Sequence, residues 1–258
     1  MPQLAGIILT YNEEHHIEEC VASLRWADEV VVFDSFSADR TVELAQRAGA
    51  RVLQHRFENY GAQRNAALDA VAADWVFFVD ADERVTPELA AEVRGKIDAA
   101  GPERGWWVPR HNYIFGRLTR GAGWYPDYQL RVLYRTCARY TPDRPVHEEV
   151  ILDGASGYLN SPLIHYNYQN VAQFIAKQER YTDFEAAIRL SRGLYPKPWT
   201  CLTGAVRQFW WRFVTLGGYT DGLHGLRLSL LMAYYEYQTW RRVAKLRHAQ
   251  KVAGTPAS

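Results

Sequence analysis

Asp80-Ala81-Asp82 follows directly on the run Trp75-Val76-Phe77-Phe78-Val79. Two carboxylates one residue apart offer the hard oxygen donors that a divalent cation takes while it shares its remaining sites with phosphate oxygens. The chemistry expected is a cation bridging protein and pyrophosphate, which points to nucleotide chemistry. The element that must position the pair is the run before it. A short apolar stretch closed by a polar break reads as a central parallel strand, and open α/β sheets bind ligands beyond the carboxyl ends of such strands. Side chains alternate along an extended chain, so positions 80 and 82 share a side only if the backbone stays extended through Ala81. Acids at a strand end ahead of a helix also serve as plain turn and capping residues. The segments upstream decide between the two readings.

Those segments alternate strand and helix. Residues 4–10 read as a strand, followed by Tyr11-Asn12-Glu13-Glu14, where Asn12 is a candidate N-cap with two acids in the first turn. Ile17, Val21 and Leu24 mark the inner face of a helix. Residues 29–34 form a second strand, and Ser37 is placed to cap a helix that stops at Gly49. Residues 51–54 read as a third strand and 63–72 as a helix; Thr86-Pro87 opens another. The order predicts a mainly parallel sheet with right-handed crossovers. Beyond residue 104 two more strands are expected, around 106–109 and 129–134, separated by a glycine-rich aromatic loop through Gly116, Gly121 and Gly123. Residues 171–194 and 199–248 read as helices, interrupted at Pro196-Lys197-Pro198 and Gly217-Gly218.

The 258 residues suffice for one large α/β domain with an appendage. The formal net charge of +1 conceals an asymmetry: from 196 to 258 there are nine Lys or Arg against two acids, a tail of +7 against −6 elsewhere. Such a tail suits an anionic surface. Three scattered cysteines fit no disulfide or metal framework and suggest a reducing compartment. The first residues lack the basic start of a signal peptide, and no apolar run approaches the roughly 18 residues of a membrane span. A Gly-x-Ser-x-Gly elbow and a Walker A loop are both missing, which argues against serine-hydrolase and ATPase chemistry. The acid-rich first half argues against a DNA-binding cleft, so no nucleic-acid partner is expected.

Four segments carry more specific information in their order: Thr10-Tyr11-Asn12-Glu13, Asp34-Ser35-Phe36-Ser37-Ala38-Asp39-Arg40-Thr41, Gln63-Arg64-Asn65 and Asp80-Ala81-Asp82-Glu83. In this arrangement the chain resembles glycosyltransferase family 2. The run 123–131 and Pro145-Val146-His147-Glu148 resemble one branch of it, the bacterial lipopolysaccharide inner-core β-1,4-glucosyltransferases. The resemblance implies an α/β fold: a single Rossmann-like nucleotide-sugar-binding domain (the glycosyltransferase A-type fold) over residues 1–168, with a C-terminal helical extension over 169–258.

The resemblance also implies roles. Asp34 would accept a hydrogen bond from the uracil or ribose of a UDP-sugar, against a plain turn role. Thr10, Tyr11 and Glu13 would line the base pocket, with Tyr11 stacking on the ring or simply packing. Arg64 would face the diphosphate through charge-assisted bonds, against a solvated helix face. Asp80 and Asp82 would hold Mg2+ or Mn2+, with His147 as a third ligand, an orienting neighbour or a purely structural histidine. Arg131 would meet phosphates or anionic acceptor groups, unless it lies on a solvent-facing strand side. Inversion at the anomeric carbon needs a general base. Glu148 is the first candidate, in a His-Glu order where the family keeps Glu-Asp, and Asp127 is the second.

The tail places Phe209, Trp210, Trp211, Phe213, Leu216 and a Leu/Tyr-rich stretch beside arginines, a composition suited to a membrane interface, against a helical cap or dimer contact. The expectation is a metal-dependent inverting hexosyltransferase. It would carry glucose from UDP-glucose to a lipid-linked glycan such as the lipopolysaccharide inner core, at the cytoplasmic face of the inner membrane. Two alternatives stand beside it: a polyprenyl-phosphate glycosyltransferase with the same donor site, and a non-catalytic nucleotide-sugar or membrane-binding module.

Overall fold

The computed structural model describes residues 1–141 and 149–253. The chain divides into two compact units, Met1–His111 with Asp127–Tyr166, and Asn112–Pro126 with Asn167–Ser258.

The first unit opens with three βα repeats: β1 (Leu4–Thr10), α1 (Ile17–Ser23), β2 (Glu29–Asp34), α2 (Thr41–Arg47), β3 (Arg51–Gln54) and α3 (Tyr60–Ala70). β4 (Trp75–Asp80), β5 (Glu83–Val85) and α4 (Pro87–Asp98) follow. β6 (Glu103–Ile114) starts in this unit and ends in the other, and β7 (Arg117–Leu118) pairs with its far end. The first unit is completed by β8 (Tyr128–Tyr134), β9 (Ala138–Tyr140), β10 (Val150–Leu152), β11 (Ala155–Tyr158) and the start of β12 (Leu163–Tyr168). The main sheet runs β3-β2-β1-β4-β8-β6. Its first four strands are parallel, whereas β8 runs antiparallel to both β4 and β6. The α/β, Rossmann-like expectation is met; the sheet expected to be mainly parallel is mixed, because β8 runs antiparallel to β4 and β6.

Alternation along the strands explains why helices cover both faces. Leu4 and Ile8 of β1 and Phe77 and Val79 of β4 pack with Ile17, Val21 and Leu24 around α1 and Leu89, Val93 and Ile97 of α4. The intervening Ala5, Ile7, Val76 and Phe78 pack with Ala67 and Leu68 of α3 on the other face. Thr86 caps α4, its hydroxyl accepting the Leu89 N–H at 3.1 Å ahead of Pro87, as the sequence predicts.

Two expected caps take other roles. α1 begins at Ile17, and Asn12 instead adopts a left-handed φ of 56°, which Asn tolerates better than most residues. Its N–H donates to Ser37 Oγ and its Oδ1 accepts the Ala38 N–H, both at 2.8 Å, so Asn12 ties the loop after β1 to the loop after β2. α2 begins at Thr41, and Ser37 turns its hydroxyl to Asp34.

The second unit contains α5 (Val171–Ser191), α6 (Thr200–Trp210), a π-helical turn over Trp211–Thr215, a 3-10 turn over Gly218–Asp221, and α7 (Leu223–Ala253). The breaks fall at the expected Pro196-Lys197-Pro198 and Gly217-Gly218. Ile114, Tyr168, Phe174, Leu228 and Tyr235 form its core. Asn112–Pro126 is anchored here as well: the N–H groups of Arg120 and Gly121 donate to the Asp221 carboxylate, and Thr119 Oγ1 lies 3.0 Å from the buried His224 Nε2. Arg189 grips Glu236 with two 2.9 Å bonds, joining α5 to α7.

Candidate active site

The parallel registers bring three expected residues to one end of the first unit's sheet. Thr10 stands opposite Asp34, and Asp80 pairs with Leu9, so all three lie at carboxyl ends of adjacent strands. Antiparallel β8 starts at that end, which delivers Asp127 and Arg131 there, while β6 brings Arg110 alongside. The β5–β12 pairing sets Glu83 opposite His165.

The Asp80 carboxylate meets two buried guanidiniums. Arg131 engages both of its oxygens, at 3.2 and 2.5 Å, and Arg64 Nη2 lies 3.5 Å from Oδ1. Burial works against ionisation of Asp80, but Arg131 and Arg64 outweigh it and hold the carboxyl far below the usual carboxylate range. Burial likewise works against the charge on Arg131, and Asp80 with Glu83 more than restores it. Glu83 is fully buried. Its Oε2 accepts the Asp80 N–H at 2.8 Å, and its Oε1 lies 3.3 Å from both Arg131 and Arg110. Arg110 completes the chain with a 2.7 Å contact to Asp127. Asp80, Arg131, Glu83, Arg110 and Asp127 therefore alternate in charge from β4 to the start of β8.

The backbone turns after Asp80, at Ala81 and Asp82, before β5 begins. Asp82 consequently keeps different company from Asp80: its Oδ2 lies 3.4 Å from His165 Nε2, and its carbonyl accepts the Tyr166 N–H. No group of three or more His, Cys, Asp or Glu poised for a metal exists among the described residues. The donor types nevertheless fit one. A half-buried carboxylate with an imidazole nitrogen beside it suits the oxygen and nitrogen preferences of Mn2+, and the carboxylate alone suits Mg2+. Asp80, with both oxygens already held by Arg131, is the poorer donor of the pair.

The other half of the site is built around Asp34, which is fully buried. Its carboxylate accepts from Thr10 Oγ1 (3.1 Å), Ser37 N–H (2.9 Å), Ser37 Oγ (2.5 Å) and Gln54 Nε2 (3.2 Å). Tyr11 is 60% exposed beside it, with its ring open to stacking. Glu13 is half-buried, and its N–H donates to Thr41 Oγ1 at 2.7 Å. Phe36 is also exposed and holds a left-handed φ of 61°, a conformation that costs a bulky residue about 1–3 kcal/mol.

Arg64 is neither solvated nor on an outer helix face: it is buried, with its guanidinium 5.0 Å from the centre of the Phe78 ring and 5.5 Å from that of Tyr140. Its neighbours in the sequence do structural work. Asn65 exchanges two 2.8 Å bonds with the Tyr140 backbone, and Gln63 holds Ser35 and His55. Arg131 likewise faces inward, away from the solvent-facing alternative. Glu148 and His147 lie outside the described residues. The sequence reading missed Glu83, Arg110 and His165. The first was visible only as the last acid of Asp80-Ala81-Asp82-Glu83, and the other two sit on strands that nothing nearby singled out.

The chain is similar to several known proteins. The family model described as Glycosyl transferase family 2 matches residues 7–141. The lipopolysaccharide core biosynthesis glycosyltransferase LpsC of Rhizobium meliloti (strain 1021) is 27% identical over 259 residues, covering 96% of this chain and 94% of LpsC. An uncharacterized glycosyltransferase of Rickettsia bellii (strain RML369-C) is 25% identical, covering 95% of this chain and 86% of its own. Among solved structures, glucosyl-3-phosphoglycerate synthase from Mycobacterium tuberculosis, in complex with Mn2+, UDP and glucosyl-3-phosphoglycerate, is 25% identical over 41% of this chain and 43% of its own, with a TM-score of 0.37. With more than half of its length matched by the family model, and its α/β sheet and helical extension in place, the chain belongs to glycosyl transferase family 2 and is a glycosyltransferase.

Proposed function

We propose that this enzyme transfers a hexose, with glucose the first choice, from a UDP-sugar to a hydroxyl of a lipid-linked glycan such as the lipopolysaccharide inner core, with inversion. The observation that carries the donor half is the convergence of two buried guanidiniums, Arg64 and Arg131, on the strand end next to Asp34. A diphosphate needs such cations, and a nucleoside needs the buried carboxylate with an exposed aromatic beside it. The near full-length similarity to a lipopolysaccharide core enzyme supports the acceptor half.

Asp82 is the first residue we assign to a divalent cation, Mg2+ or Mn2+, with His165 beside it and Asp80 and His147 as the further members of the set. When bound, the cation offsets the charge that develops on the departing UDP. The chain's own groups do the rest. Asp34, Thr10 and Tyr11 hold the nucleoside, with Glu13 at the rim of that pocket. Arg64 faces the diphosphate, and Arg131 fixes Asp80. A carboxylate takes the proton from the acceptor hydroxyl as its oxygen attacks the anomeric carbon and the bond to UDP breaks. Glu148 is our choice for that base. Asp127 is the second choice, since its carboxylate is already held by Arg110 at 2.7 Å and Gln129 at 2.9 Å. The enzyme would work as a peripheral protein on the cytoplasmic face of the inner membrane.

The test is UDP release from UDP-glucose with core lipopolysaccharide as acceptor, for the wild type and Glu148→Gln. A fall of about 10²-fold or more in the variant, with donor binding intact, supports hydroxyl attack assisted by Glu148. An unchanged rate points to a phosphate acceptor, which needs no strong base.

A further inference from the structure

α6 carries its apolar face outward. Trp199, Leu202, Val206 and Trp210 recur at the three- and four-residue spacing that places them on one side of a helix. All four are open to solvent, at 60, 66, 61 and 62% exposure. The opposite side is the packed one. Gly204 is the buried residue of α6, and a Cβ there would lie 3.0 Å from the Trp240 ring of α7, so the small residue lets the two helices close up. A soluble helix normally arranges these faces the other way round. The stripe continues through Trp211 and Val214 of the π-helical turn, which are also exposed.

We propose that this stripe is the part of the protein that enters a lipid surface, with α6 lying in the interface of an anionic leaflet. The inference rests on the reading that the acceptor is lipid-linked, and it names the element that meets the membrane. Three observations favour lipid over a second protein. The stripe begins and ends with tryptophan, the side chain best suited to the boundary between headgroups and acyl chains. From Trp199 to Trp210 is about 16 Å of helix, enough to lie on a bilayer. The segment's charge is of one sign: Lys197 and Arg207 stand on or beside the stripe, and residues 192–215 contain no Asp or Glu. Lys197 Nζ lies 5.9 Å from the Trp199 ring centre. Two copies related by a two-fold axis would bring these cations together without an acid to meet them, whereas anionic headgroups attract each one.

The inward and outward roles also separate the basic residues of the tail. Arg242 is tied to Glu179 and Asp183 within the unit, and Arg212 donates to the Ala122 carbonyl at 2.6 Å. Arg207 and Lys197 are exposed and remain at the surface that would face lipid.

The experiment is flotation of the full chain with phosphatidylglycerol–phosphatidylethanolamine vesicles and with phosphatidylcholine vesicles, read together with tryptophan emission. The wild type should float with the anionic vesicles, shift its emission to the blue, and release as salt rises. Trp199→Ala and Trp210→Ala should each weaken partitioning about tenfold, and Leu202→Asp should abolish it. Leu223→Ser, an exposed apolar site on α7, should leave it unchanged. UDP binding should be the same in all four variants, so a failed donor reading would not be mistaken for a failed docking face. Equal flotation of wild type and Leu202→Asp would overturn the proposal. Loss of flotation in Leu223→Ser alone would do so as well. A wild-type dimer in light scattering that Leu202→Asp converts to monomer, without vesicle binding by either, would assign the face to a second copy instead.

Discussion

Replacing Glu83 with Gln removes one negative charge from the middle of the carboxylate–guanidinium chain and leaves its shape almost unchanged. Among the described residues, three carboxylates (Asp80, Glu83, Asp127) interleave with three guanidiniums (Arg64, Arg110, Arg131), so the variant leaves one cation in excess. Glu83 is fully buried, Arg131 is nearly so, and Arg110 is largely covered. Breaking a buried pair by removing one partner costs about 3–5 kcal/mol, because the other charge stays buried without compensation. The amide oxygen can still accept the Asp80 N–H now bound at 2.8 Å, so the lower end, about 3 kcal/mol, is the expectation. At roughly 2–4 °C per kcal/mol for a unit of this size, the melting temperature should fall by about 6–12 °C. Circular dichroism melts of both proteins at pH 7 measure this. Glu83→Gln combined with Arg131→Met should then be less destabilised than the two single changes summed, because the second removes the cation that the first leaves stranded. A shift of no more than about 2 °C, or strict additivity, would refute the claim that the chain is a coupled electrostatic unit.

Asp80 sets a pH dependence. Its folded-state carboxyl ionises below the ordinary 3.8. Its contribution to stability is therefore complete above that value and is lost as pH falls below it toward the folded pKa. Melting temperatures between neutral pH and pH 3 should show a shallower acid fall in Asp80→Asn than in the wild type. Thr86→Ala removes the α4 cap and should lower stability by about 1 kcal/mol without altering UDP binding, by denaturant titration and calorimetry. Asp34→Asn places an amide among donors that now all point at a carboxylate, and calorimetry should show UDP affinity falling at least about tenfold.

Much of the arrangement is legible in the sequence. The run from Trp75 to Val79 ends in the acid pair because a buried parallel strand needs an apolar run and its ligand end needs polar groups. The Thr86-Pro87 start of α4 was equally plain, since cap and first-turn chemistry are local. What failed was local reasoning at loops whose partners are distant in sequence. Asn12 and Ser37 resemble helix caps, yet each binds across the gap between the β1 and β2 loops or onto Asp34. Glu83, Arg110 and His165 gain meaning only through register: β5 against β12, and β6 against β8. No local pattern records either pairing. The aromatic tail was legible as a composition, but which residues face outward depended on Gly204 pressing α6 against Trp240.

In the proposed reading, the carboxylate at Asp82 makes donor binding depend on a divalent cation. Titration calorimetry of UDP into the wild type and Asp82→Asn, with Mn2+ and then with chelator, tests it most directly. Chelator should weaken binding by the wild type at least about 30-fold (~2 kcal/mol), and binding by the variant should be weak in both buffers. Equal UDP affinity of the wild type with and without the metal, or full metal dependence surviving in Asp82→Asn, would contradict it.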